Sequence, residues 1–267
     1  MAHLTISFFS KRLNRDVTIN ALLPVDGSDK PDYSSTSLQP PLKSLYLLNG
    51  LTGNHTDWVS YTRIRKLANL HNIAVFMPGG ENHFYVDDEE REEYYGQFVG
   101  EELVEFTRQC FPLSHKREDT YIGGLSMGGY GAVRNGLKYA KRFGAIIGLS
   151  SALLPYRIAN AKPGFEYRTF KFPYLQRVFG DLSQLFGSDK DPEALIKQLR
   201  HKKEIIPHIF LSCGTEDFLI DMNRRYHQFL LDEAVEHTYI EKPGAHTWEY
   251  WDEGIEDALN WITHLNL

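Results

Sequence analysis

Residues 121–131 read YIGGLSMGGYG, with five glycines in eleven positions around one serine, Ser126. Glycine weakens strands and helices alike, so such a cluster marks a sharp turn or a close backbone approach. A Gly-rich surface loop fits that description, and so does a turn that thrusts Ser126 out of the fold. The flanks decide between them. Thr120–Ile122 is a short apolar run of strand character, and Met127–Tyr139 has helical spacing after its first glycines. Gly124-Leu125-Ser126-Met127-Gly128 is therefore G-x-S-x-G between a strand and a helix, the setting in which this motif carries a nucleophile. The turn strains the serine backbone so that Oγ points outward. It also leaves the hydroxyl at a helix N-terminus, where free N–H groups favour developing negative charge.

The same alternation extends along the chain. Leu4–Phe9 and Val17–Leu23 flank a polar turn and predict an opening antiparallel hairpin; Val25–Lys43, rich in Pro, Ser and Asp, reads as an exposed loop. Ser44–Leu48, Ile73–Met77, Phe143–Leu149 and His208–Ser212 are further short apolar runs, several of them continuous, as expected of strands covered on both faces. Helical stretches lie at Tyr61–His71, Glu101–Cys110, Met222–Leu231 and Glu256–Leu265. The pattern predicts an α/β domain over residues 1–267, a mostly parallel sheet with helices on both faces. Residues 152–203 break the rhythm with a segment rich in Phe, Tyr, Pro and basic residues, placed as a lid-like insertion.

A serine hydroxyl needs a base to take its proton, and the base needs an orienting acid; on this architecture the chain order is Ser, acid, His. The strand HIFLS runs into Gly214-Thr215-Glu216-Asp217, which sets acids at its carboxyl end; Glu216 and Asp221 rival Asp217, with Asp221 read as a helix N-cap. His246 follows the small-residue loop Pro243-Gly244-Ala245, whereas His227, His237 and His264 fall on or beside helices. Donors for a tetrahedral oxyanion are expected from the N–H of Met127 and, in the turn after the first core strand, the N–H of Leu51, where Gly50 and Gly53 let the backbone approach substrate. Trp58, His83, Phe84, Tyr85, Tyr130 and Trp248 flank these motifs as pocket-wall candidates, with plain core packing as the competing role.

Composition narrows the partners. With 29 Lys and Arg against 35 Asp and Glu, a net charge of −6 gives no support to nucleic-acid binding. No run approaches the ~18 apolar residues of a membrane span. The first residues lack a secretory pattern, and Cys110 and Cys213 read as free buried thiols, so a cytoplasmic protein is expected. The sequon Asn54-His55-Thr56 is discounted for the same reason. His55 with Asp57 is too sparse for a metal site, so no metal or cofactor is expected. Self-association is left open.

LLNGLTGNHTDW, MPGGENHFYVD, YIGGLSMGGYGA, CGTEDF and GAHTWEYW occur in the order found in the esterase D-like, feruloyl-esterase-like branch of the α/β-hydrolases. From about residue 4 to the end the chain resembles that family, and most of all its bacterial tributyrin-type short-chain acyl esterases. The resemblance implies Ser126, Asp217 and His246 as a catalytic triad, Leu51 and Met127 as oxyanion donors, and hydrolysis of short acyl esters, including acetyl or hydroxycinnamoyl esters of carbohydrates. Relatives commonly carry His-Gly in the oxyanion loop, where this chain has Asn49-Gly50. A thioesterase acting on S-formylglutathione shares the same fold and triad. An acyltransferase and a catalytically silent binding module are the other readings.

Overall fold

Apolar runs too short to bury themselves must stack side by side, and the chain does so in an eight-stranded sheet. The computed structural model describes residues 1–25 and 40–265; most of the loop expected at Val25–Lys43 lies outside the described residues. The strands are β1 (Ala2–Ser10), β2 (Arg15–Leu23), β3 (Lys43–Leu48), β4 (Ile73–Pro78), β5 (Thr120–Leu125), β6 (Ala145–Leu149), β7 (His208–Gly214) and β8 (His237–Lys242). Their spatial order is β1-β2-β4-β3-β5-β6-β7-β8. β1 and β2 form the opening hairpin, and β2 runs antiparallel to β4; every later neighbour is parallel. The chain steps outward from β3 to β4, then returns to the other side of β3 as β5. That reversal opens a crevice at the carboxyl ends of β3 and β5, where open α/β sheets bind their ligands.

Besides the single turns Tyr95–Gln97 and Pro155–Ile158, the α-helices among the described residues are α1 (Asp57–Tyr61), α2 (Ile64–Leu70), α3 (Leu103–Cys110), α4 (Met127–Lys138), α5 (Phe172–Phe179), α6 (Pro192–His201), α7 (Ile220–Asp232) and α8 (Trp248–His264). Alternate strand residues feed two cores, one per face: Tyr46, Leu48 and Ile146 join α3, α4 and α7, while Leu45, Leu47 and Ile147 join α2 and α8. Residues 152–203 hold α5, α6 and the short hairpin Glu166–Tyr167 with Phe170–Lys171. The segment is pinned to α4 from behind. Fully buried Arg134 binds Asp189, Lys138 reaches the same carboxylate at 2.6 Å, and Tyr130 Oη donates to the Lys190 carbonyl at 2.7 Å. No helix among the described residues is long and apolar enough to cross a membrane.

Several boundaries differ from the sequence expectation. His237, expected on or beside a helix, opens the edge strand β8 instead. The last helix begins at Trp248 rather than Glu256. The stretch at Tyr61–His71 is two helices, broken where Thr62 turns extended at φ −136°. A π-helical turn, Phe98–Glu102, leads into α3, whose last residue, Cys110, is exposed rather than buried as expected, while Cys213 is buried.

The turn from β5 into α4 demands glycine for a steric reason. A Cβ on Gly128 would sit 2.4 Å from the Leu48 carbonyl oxygen and 2.6 Å from that of Asn49. Neither partner is a side chain that could move aside. Gly128→Ala should therefore lower stability by about 1–3 kcal/mol, the range for overpacking a tight interior. Thermal unfolding should register a fall of several degrees, and an unchanged midpoint would show that the backbones separate freely.

Candidate active site

Ser126 sits between β5 and α4 at φ 54°, ψ −116°, a region that residues bearing a Cβ rarely occupy. Three backbone hydrogen bonds hold it there: its N–H donates to Leu149 O at 2.9 Å, and its carbonyl accepts from Tyr130 and Ala152 at 3.0 and 2.9 Å. His246 Nε2 lies 3.0 Å from Ser126 Oγ, and His246 Nδ1 lies 2.8 Å from Asp217 Oδ2. The Asp217 side chain is fully shielded from solvent. Its other oxygen accepts the Leu219 N–H at 2.8 Å. Burial alone would raise this carboxyl; the hydrogen bond and charge of His246, with the Leu219 N–H, hold it below its ordinary 3.8.

The two rival acids have other places. Glu216 is exposed and accepts the Gly244 N–H, bracing the histidine loop against the acid loop. The loops touch through backbone, since a Cβ on Gly214 would lie 2.1 Å from the Gly244 oxygen. Asp221 lies within the first turn of α7, behind the capping position held by Leu219, so it is not the N-cap. Among the other histidines, His227 and His237 bind each other at 2.7 Å, and His264 is on the exposed end of α8.

Leu51 and Met127 each present a backbone N–H without a partner among the described residues. The turn carrying Leu51 is held by Asn49, which is buried. Asn49 Oδ1 accepts from Tyr85 Oη at 2.9 Å and from Gly80 N–H at 3.2 Å, while its amide donates to the Gly50 carbonyl at 2.7 Å. An asparagine here thus carries both a donor and an acceptor into the loop. Burial pushes the Tyr85 phenol far above its ordinary value, which keeps it a hydroxyl donor.

A cleft of about 760 Å³ opens over Ser126 and His246. Gly50 and Trp248, candidates for its wall, line it together with Leu51. Trp58, Tyr85 and Tyr130, expected at its wall, are buried behind it instead: Trp58 Nε1 ties down the Leu48 carbonyl at 3.0 Å, Tyr85 holds Asn49, and Tyr130 anchors the insertion. His83 stacks on Tyr95, and Phe84 is packed among Tyr130, Phe170 and Phe179. Of the insertion's aromatics, Phe170 reaches the cleft.

Phe218, Trp251, Tyr61, Asp57 and Arg168 also line the cleft. Phe218 and Trp251 grip the His246 ring at centroid distances of 4.6 and 4.8 Å. Both stand within a few residues of Asp217 or His246, the one signal that could have marked them. Burial raises the Asp57 carboxyl. No group of three or more His, Cys, Asp or Glu among the described residues could hold a metal ion.

The depressed Asp217 carboxyl fixes a sign for acid stability. Its contribution is complete above its unfolded value near 3.8 and is lost as pH falls through the lower folded value. The stability difference between wild type and Asp217→Asn, from urea unfolding, should be constant above about pH 5 and shrink below about pH 4. A difference that widens in acid would contradict the pairing.

Residues 10–262 match the esterase family model. An acetyl esterase of Caldicellulosiruptor saccharolyticus is 48% identical over 266 residues, covering 100% of both chains. Among solved structures, the fluorophosphonate-binding serine hydrolase F of Staphylococcus aureus, with substrate bound, is similar at a TM-score of 0.85 and 30% identity over 99% of each chain. An S-formylglutathione hydrolase of the same organism, without ligand, gives 0.83 and 29%, covering 98% of this chain and 99% of the other. The chain therefore belongs to the esterase family, with the α/β-hydrolase fold, and is a serine-type carboxylic ester hydrolase.

Proposed function

We propose that this chain hydrolyses short-chain acyl esters, acetyl to butyryl, through an acyl-enzyme on Ser126, as a cytoplasmic enzyme of tributyrin-esterase type. The observation that carries the reading is the series Ser126–His246–Asp217, linked at 3.0 and 2.8 Å beside two unengaged backbone N–H groups. Asp217 accepts a hydrogen bond from the Nδ1–H of His246, which leaves the Nε2 lone pair facing Ser126 Oγ. Nε2 takes the hydroxyl proton as Oγ attacks the ester carbonyl. The resulting oxyanion meets the N–H groups of Leu51 and Met127, the latter at the N-terminus of α4. Collapse expels the alcohol, which takes the proton back from Nε2. Water, activated by the same imidazole, then releases the acid.

Acyl length is set by the walls. Phe170 and Trp248, which bound the cleft away from the rings stacked on His246, are the walls that longer acyl chains must displace. The name of the acetyl esterase relative supports the short end of this range. The insertion 152–203 acts here as a lid that governs choice of substrate. Acetylated carbohydrates are natural esters that such a preference admits, whereas feruloylated ones would need a site wide enough for an aromatic acyl group. A thioesterase would use the same residues, and comparing S-formylglutathione with p-nitrophenyl acetate separates the two.

Ser126→Ala should leave the fold intact and cut turnover by on the order of 10⁶-fold, as removal of a triad serine does elsewhere. Fluorophosphonate labelling should vanish with it; a labelled or near fully active variant would remove Ser126 from the mechanism. On p-nitrophenyl esters, efficiency should peak at about two to four acyl carbons, and Phe170→Ala should move the optimum to longer chains. A peak at about eight carbons, or an unmoved profile in the variant, would reject the proposed wall and leave the triad reading standing.

A further inference from the structure

The insertion is basic in an acidic protein. Between residues 152 and 180 stand Arg157, Lys162, Arg168, Lys171 and Arg177 against the single acid Glu166, while the whole chain carries −6. Most arginines elsewhere are held by carboxylates, as Arg63, Arg134, Arg142 and Arg224 are. The three in this stretch lie on aromatic faces instead: Arg157 over Tyr167, Arg177 over Tyr174, and Arg168 over Phe218 at 4.1 Å. None of them has a carboxylate partner among the described residues. Only Arg168 of the three lines the cleft over Ser126.

Its place within the cleft follows from what it rests on. Phe218, beneath the guanidinium, packs against the His246 ring at 4.6 Å. His246 returns its proton to the departing alcohol, so the alcohol's oxygen must lie beside that imidazole. Groups stacked on His246 therefore border the leaving portion of the substrate, whereas the Leu51 turn borders the carbonyl oxygen. Arg168 occupies the two-residue turn of the hairpin Glu166–Tyr167 with Phe170–Lys171, at φ 53°, where glycine or asparagine is the easier choice. Tyr167 at the base of the turn reaches the Phe218 carbonyl, which ties the hairpin to the loop next to Asp217. The stacked face of the guanidinium is taken by Phe218, and its edge N–H groups stay available for a planar anion.

We propose that Arg168 is a specificity residue that recognises a carboxylate on the leaving alcohol, so that the enzyme favours acyl esters of hydroxy acids over their neutral analogues. The proposal rests on the serine-esterase reading of Ser126 and His246. One exposed guanidinium matches one carboxylate charge, through a forked pair of hydrogen bonds. The basic stretch around it draws such substrates to the cleft, an attraction that salt weakens.

A matched pair of chromogenic esters tests it: 5-acetoxy-2-nitrobenzoate, anionic on its leaving group, and its neutral methyl ester. The ratio of kcat/KM for the two cancels general effects on folding and on the triad. Arg168→Gln should lower that ratio about tenfold, the lower range for a charge-assisted hydrogen bond, with the neutral ester changed less than about twofold. Arg168→Lys should keep most of the ratio, and about 0.5 M salt should compress it in wild type but not in Arg168→Gln. An equal fall on both esters would make Arg168 a support for Phe218 and His246, and an unmoved ratio would leave it without a role; either overturns the proposal. Wild type inactive on both esters would instead reject the serine-esterase reading itself, and this proposal with it.

Discussion

The site depends on one contact between backbones. Gly128, in the first turn of α4, lies against the carbonyls of Leu48 and Asn49 at the end of β3. That contact pulls the start of a helix onto the neighbouring strand's exit, and the chain meets the demand by folding Ser126 into the left-handed region. The positions of both proposed oxyanion donors follow from it. Met127 is the first residue of the helix so placed, and Leu51 belongs to the strand exit it touches. A side chain between them would separate the two N–H groups and the hydroxyl together. Close approach here is chemistry as much as packing.

Around this contact, polar groups both buried and exposed hold the loops in place. Asn49 and Tyr85 fix the turn before Leu51, Glu216 ties Gly244 to the acid loop, and Leu219 steadies Asp217. Phe218 and Trp251 confine the His246 ring from two directions. Such second supports keep reacting groups within the narrow geometry that catalysis requires. Asn49 is informative because its side chain has both polarities: one end receives the tyrosine hydroxyl, and the other secures the Gly50 carbonyl.

What the sequence reveals follows from how local each signal is. The hairpin, the parallel core and the serine turn are written in short runs, and the structure has them within a few residues of the expected bounds. Asp217 and His246 stand in small-residue loops after apolar runs, so their placement was legible too. β8 was not, because HTYIEK sits at the sheet edge with every residue half-buried and mixes apolar with charged side chains. Trp58, Tyr85 and Tyr130 neighbour the motifs in sequence, yet nearness along the chain does not say which side of a wall a ring occupies. All three turn inward, where their polar atoms find backbone or Asn49 partners. Arg168 was invisible for the converse reason. Its position depends on a two-residue turn inside an irregular insertion, and no periodicity announces such a turn.

Ser126 and His246 meet across 120 positions of chain, and Asp217 joins them from 29 before the histidine. The three stand on separate connections of one parallel sheet, whose strands pair only after long crossovers close. A growing chain that has completed the serine turn therefore carries a hydroxyl with no base beside it. On the roles proposed for these three residues, chemistry begins when the last quarter of the sequence docks through Gly214 and Gly244. Until then a nascent molecule meets esters as an inert surface, and the first turnover doubles as a report that β7, β8 and α8 have reached their places.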